Sequence, residues 1–197
     1  MTSVHPPVVS YPLPRLPVPI EPAPELLSLA RQSPVNLSLL TLLAHPAQRA
    51  RLQAGPALLP GAVEELIRYV QLSSALPPAR VTTEEVTFGG VTIPAGGMVF
   101  TLFVIANRDP AAFPDPDTFD ITRQLGTHLG FGVGAHHCLG AQLARAELTE
   151  AFRGLLGRLS GARLAVGADQ LRFKENMTIT SLMELPVTWG AGDGTGQ

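Results

Sequence analysis

The sequence predicts a mainly helical α+β domain with small β-sheets, and three observations carry that expectation. An amphipathic stripe runs through residues 60–73, and a second long helical pattern fills 139–159. Between them lie short β-branched runs punctuated by glycine and proline. Of 197 residues, 45% are apolar and 15% charged, so the chain carries enough apolar surface to fold around one core.

The elements follow in order. Residues 1 to 24 hold Pro6, Pro7, Pro12, Pro14, Pro17, Pro19, Pro22 and Pro24. Proline lacks a backbone donor and pushes its predecessor out of the helical region, so this arm is expected to be extended or irregular. A short helix is expected over Glu25 to Arg31, and another apolar segment over Leu37 to Ala44. The latter ends at His45-Pro46, where Pro46 suits the first position of the next helix. From Pro60 to Ser73, Val63, Leu66, Ile67 and Val70 recur at helical spacing and form one buried stripe. Val86-Thr87-Phe88 and Val91-Thr92-Ile93 flank Gly89-Gly90, the pattern of a hairpin with a two-residue turn. Met98 to Asn107 is apolar and reads as a further buried helix. Residues 109–123 read as a proline-punctuated coil, and Gly126 to Gly134 as a glycine-rich loop. A long helix is expected from Leu139 to Leu159 with Leu148, Phe152, Leu155 and Leu159 on its buried face. Short strands, including Val187-Thr188-Trp189, precede a glycine-rich tail. The domain organisation expected is an arm over 1–35, a folded domain over 36–190 and a flexible tail over 191–197.

Charge and cysteine usage restrict function. A net charge of −2 gives no electrostatic case for nucleic acid or an anionic membrane as partner. A single cysteine excludes an intramolecular disulfide framework and suits a reducing cytoplasm. No run of 18 apolar residues and no signal-peptide pattern occurs, so a cytoplasmic location is expected.

The informative stretch is Phe131-Gly132-Val133-Gly134-Ala135-His136-His137-Cys138-Leu139-Gly140. Glycines at 130, 132 and 134 open backbone conformations closed to other residues and let a flat ligand approach. Cys138 stands where a helix is expected to begin, and the positive end of a helix dipole stabilises a thiolate, the form an axial iron ligand requires. Other readings exist. A lone cysteine is compatible with a small buried hydrophobe. The glycines alone are compatible with a phosphate cradle, although the cysteine then has no task. His136, His137 and Cys138 are compatible with zinc, although adjacent side chains diverge, His128 would have to fold back, and no fourth ligand has suitable spacing.

As a whole, these ten residues resemble the haem-binding signature of the cytochrome P450 family, F-x-x-G-x-x-x-C-x-G. The resemblance implies haem b (iron protoporphyrin IX) as cofactor and Cys138 as axial ligand to its iron. It also implies that Phe131, Gly132, Gly134, His136 and Gly140 are cofactor-binding residues: Phe131 packs beside Cys138 and screens the sulfur, Gly134 gives the loop its tight turn, and His136 donates to a haem propionate. Glu65 and Arg68, three apart on the strong helix, coincide with the family's E-x-x-R motif. Arg80, in Ala79-Arg80-Val81-Thr82, resembles a second propionate-binding residue. The family pairs Glu65 and Arg68 with an arginine where this chain has Thr118, and Arg123 is the available substitute. Bacterial soluble members give the best match, as in Ala106-Asn107-Arg108-Asp109-Pro110.

By resemblance the fold is the haem-proximal portion of the family fold. The activity implied is monooxygenation of a small organic substrate with electrons from a ferredoxin- or flavin-type donor. Arg145 and Arg153 are candidates to meet that donor, with ordinary surface charge as the alternative. Between Val35 and Leu37 the sequence passes from the family's opening to the end of its central helix, and no A-G-x-[D/E]-T segment occurs. In relatives that segment delivers protons, so the resemblance implies haem ligation more directly than turnover. Two non-enzymatic readings stay open. One is an auxiliary or scaffold protein whose exposed distal face binds a protein partner. The other is an inactive product of an internal deletion.

Overall fold

The computed structural model describes residues 35–70, 79–124, 126–157, 161–174 and 180–189. The expected arm, the 25–31 helix and the glycine-rich tail lie outside them.

Helix α1 spans Val35–Ala44 and buries Leu37, Leu39, Leu42 and Leu43. It stops at the His45-Pro46 step, and α2 (Pro46–Ala54) starts on that proline as expected. A short 3₁₀ turn, Pro56–Leu58, leads into α3 (Leu59–Tyr69). Ala62, Val63, Leu66 and Ile67 of α3 are buried, but so are Glu65 and Arg68. The helix ends earlier than the periodicity suggested, because Val70 is extended with φ −80° and ψ 120°. Val70 still packs at the edge of the core, and residues 71–73 lie outside the described set.

Among the described residues, three two-stranded antiparallel ribbons follow. β1 (Arg80–Val81) pairs with β4 (Met98–Val99), and β2 (Val86–Phe88) pairs with β3 (Val91–Ile93). The hairpin has the expected register, with Phe88 opposite Val91 and the turn glycines at φ 58° and 79°. The buried helix expected over 98–107 does not form. Gly96, at φ 77°, turns the chain so that Gly96 and Gly97 bond with Thr82 and Met98-Val99 is drawn into pairing with β1. Only one helical turn remains, α4 (Phe103–Ala106), with no buried residue. A β-branched and aromatic run beside a paired strand takes the ladder over the helix.

The coil over 109–123 is well packed, with Phe113, Phe119 and Ile121 buried. Helix α5 spans Ala141–Leu156, so it starts two residues after Leu139 and ends at Gly157. Its buried Leu148, Phe152 and Leu156 lie along α3, while Leu155 is partly buried and Leu159 lies outside the described residues. β5 (Ala162–Leu164) and β6 (Val187–Trp189) form the last ribbon. One core therefore joins α1, α2, α3 and α5, and side chains such as Phe152, Leu42, Leu52 and Leu66 are completely buried. Each such burial contributes about 1.5–3 kcal/mol.

Candidate haem-ligating site

The cysteine loop is built by glycine geometry and then anchored at both ends. Gly132 and Gly134 sit at φ 72° and 75°, conformations that a side chain would strain. Gly130 serves close approach instead. A Cβ there would lie 2.6 Å from Ile67 Cγ2 and 2.8 Å from the Ile67 carbonyl oxygen, so the loop rests directly on α3. The chain then makes a 3₁₀ turn, Gly134–His136, closed by the His137 N–H donating to the Gly134 carbonyl at 3.0 Å.

Cys138 donates its N–H to the Phe131 carbonyl at 2.9 Å, and its own carbonyl accepts from Ala141, the first residue of α5, at 3.2 Å. The thiol is exposed. Gly140 leaves its flank open, since a Cβ there would lie 3.9 Å from Sγ. Val133 and Leu139, either side of Cys138 in the loop, are 58% and 104% exposed. His136, Arg80 and the other loop residues from Val133 to Gly140 are exposed too, and His137 meets the Phe131 ring edge-on at 6.3 Å. Among the described residues no group of three His, Cys, Asp or Glu side chains could hold a bare metal ion, so nothing supports the zinc reading.

Behind the loop, Glu65 and Arg68 pair in complete burial. Arg68 donates from Nε to Oε2 at 2.7 Å and from Nη2 to Oε1 at 2.8 Å. Its remaining Nη1 reaches the Asn107 and Pro116 carbonyls at 2.8 and 2.9 Å. Arg123 supplies the third arm. Its Nε donates to Glu65 Oε1 at 3.3 Å, and its other nitrogens reach the carbonyls of Pro114, Asp115 and Thr118. The Asp120 N–H adds a further bond to Glu65 Oε1 at 3.1 Å. A buried charge is tolerable only when paired and saturated in this way.

Sequence reasoning missed two links. Asn107 is buried, and its Oδ1 accepts the Leu129 N–H at 2.7 Å, joining the cysteine loop to the end of α4 and through its carbonyl to Arg68. Glu64 is the second. Arg145 of α5 donates to both its oxygens at 2.6 and 3.0 Å, and His128 Nε2 donates to Oε2 at 2.9 Å. Arg145 also lies over the Phe131 ring at 4.7 Å, so it is engaged within the protein. Arg153 is exposed and pairs with Glu150. Burial acts to raise the Glu64 pKa, but the hydrogen bonds from Arg145 and His128 and the Arg145 charge outweigh it and hold the carboxyl below its ordinary value.

A sequence profile described as Cytochrome P450 matches residues 55–176. The chain is 48% identical over 156 residues to pentalenic acid synthase of Streptomyces avermitilis, covering 79% of this chain and 38% of that relative. It is 49% identical over 148 residues to mycinamicin IV hydroxylase/epoxidase of Micromonospora griseorubida, covering 75% and 37%. Among solved structures, the LnmA cytochrome P450 hydroxylase of Streptomyces atroolivaceus superposes with a TM-score of 0.76 at 46% identity, covering 82% of this chain and 42% of that one. The chain thus spans about two fifths of the length of the relatives it matches.

Proposed function

The chain belongs to the cytochrome P450 family, and from that premise we propose that Cys138 ligates the iron of haem b and that the chain forms the cysteine-side part of a monooxygenase. Relatives in the family bind haem b. The residues present fit that group: an exposed sulfur, two glycines at positive φ, and the exposed apolar side chains Val133 and Leu139 in the same loop, suited to the face of a macrocycle. His136 and Arg80, both exposed, are the cationic or hydrogen-bonding groups available to the propionates.

When bound, the haem supplies one-electron and dioxygen chemistry, with a thiolate donating electron density to the iron. The chain's own part is positional. Cys138 presents sulfur from a turn tied to Phe131 and to the start of α5, and the buried Glu65–Arg68–Arg123 group keeps the ground beneath it rigid. Residues 36–190 are the haem-binding unit in this reading. The whole protein takes a small organic substrate and electrons from a ferredoxin- or flavin-type donor, in the cytoplasm. Among the described residues no helix is long and apolar enough to cross a membrane.

The observation that carries the reading is the single exposed thiol on a glycine-turned loop at the head of α5. Its test is spectroscopic. The protein supplied with haem, reduced and exposed to carbon monoxide gives a strongly red-shifted Soret band that Cys138→Ser loses. A band indifferent to that substitution, or no haem uptake, overturns the reading.

A further inference from the structure

Glu64 lies one residue before the buried Glu65 and takes no part in that pair. Its two oxygens gather three donors from two other parts of the chain: Nε and Nη2 of Arg145 on α5, and Nε2 of His128 at the base of the cysteine loop. The His128 side chain is 5% exposed. Its Nδ1 accepts the Gly130 N–H at 3.1 Å, which places the ring proton on Nε2 and requires an acceptor opposite. Glu64 is that acceptor. Arg145 in turn covers the Phe131 ring, and Phe131 offers the carbonyl that receives the Cys138 N–H. One carboxylate on α3 therefore holds the loop from both directions, through the backbone at Gly130 and through the ring at Phe131.

We infer that Glu64 is a positioning residue for Cys138: it fixes the 128–138 loop against α3 and α5 so that the sulfur keeps one orientation toward its ligand. The inference deepens the proposed haem ligation and rests on it for its spectroscopic arm only. An amide cannot replace the carboxylate, because Gln presents one acceptor oxygen and an NH2 donor group where three donors converge, and it leaves the Arg145 charge without a partner. Asp keeps the charge and both acceptors with a shorter reach.

The experiment compares the parent chain with Glu64→Gln and Glu64→Asp by amide hydrogen exchange without added haem, and by the reduced carbonyl spectrum with it. Glu64→Gln is expected to speed exchange at Gly130 and Cys138 about tenfold or more while leaving the α1 and α2 amides unmoved, with Glu64→Asp in between. With haem, Glu64→Gln is expected to move a measurable share of the carbonyl complex from the red-shifted band to a shorter-wavelength one, and Glu64→Asp to restore most of it. Unchanged loop exchange in Glu64→Gln overturns the inference, and so does acceleration shared equally by α1 and α2, which would mark a global loss of stability. If the loop loosens as expected but the parent shows no red-shifted band, the clamp stands and the proposed iron ligation falls.

Discussion

At the scale of single residues, the site depends on groups whose loss leaves a buried partner stranded. Arg68→Ala would strip the fully buried Glu65 of its bidentate partner, leaving it Arg123 and the Asp120 N–H, and would free the Asn107 carbonyl. Breaking such a pair costs about 3–5 kcal/mol, a large part of a domain's stability, and a urea titration should show it as a collapse of the unfolding midpoint. Arg68→Lys should recover only a fraction, because an ammonium cannot reproduce the bidentate fork. Asn107→Ala should cost about 1–3 kcal/mol by stranding the Leu129 N–H, read from the same titration. His136→Ala and Arg80→Ala answer a different question. Both side chains are exposed, so protein stability should stay within about 0.5 kcal/mol while transfer of haem to apomyoglobin quickens. Unchanged haem loss in both variants would remove them from the propionate site.

At the scale of elements, the decisive packing is the glycine loop on α3. Gly130→Ala drives a methyl into both the Ile67 side chain and its carbonyl oxygen. Overpacking of this kind typically costs about 1–3 kcal/mol, and Ile67→Val should relieve only part, because the carbonyl remains. Thermal unfolding of the single and double variants checks this. The elements also show what sequence could disclose. The hairpin was legible because Gly89-Gly90 and its flanking β-branched residues act locally. The cysteine loop was legible for the same reason, its glycines, histidine and thiol lying within ten residues. Met98–Asn107 departs from its helical pattern because its fate depends on Thr82, which bonds Gly97 fifteen residues on, and on pairing with β1. Glu64 and Asn107 escaped notice because their partners lie 64, 81 and 22 residues away, and nothing local marks a carboxylate or amide for such a task.

At the scale of the whole molecule, two carboxylates make stability depend on acid. Glu64 is held low by the balance of burial against the Arg145 and His128 bonds, and Asp120 by hydrogen bonds from the Thr122 backbone and hydroxyl, which exceed its desolvation. Both folded pKa values lie below the unfolded ones, so the folded state binds fewer protons in acid. The stabilisation is complete above the ordinary values of 4.5 and 3.8 and is lost as pH falls through the depressed values. From these two groups, urea midpoints should fall as pH drops below about 5. Glu64→Gln should flatten part of the fall, and a slope unaltered in that variant would remove Glu64 from the acid response.

The lone exposed thiol has a consequence for handling. It has no disulfide partner within the chain, so protein left in air without pigment should run in part as a covalent pair on a non-reducing gel. A sulfur engaged by iron cannot join that pair. If the proposed ligation holds, added pigment should lower the paired fraction on such a gel.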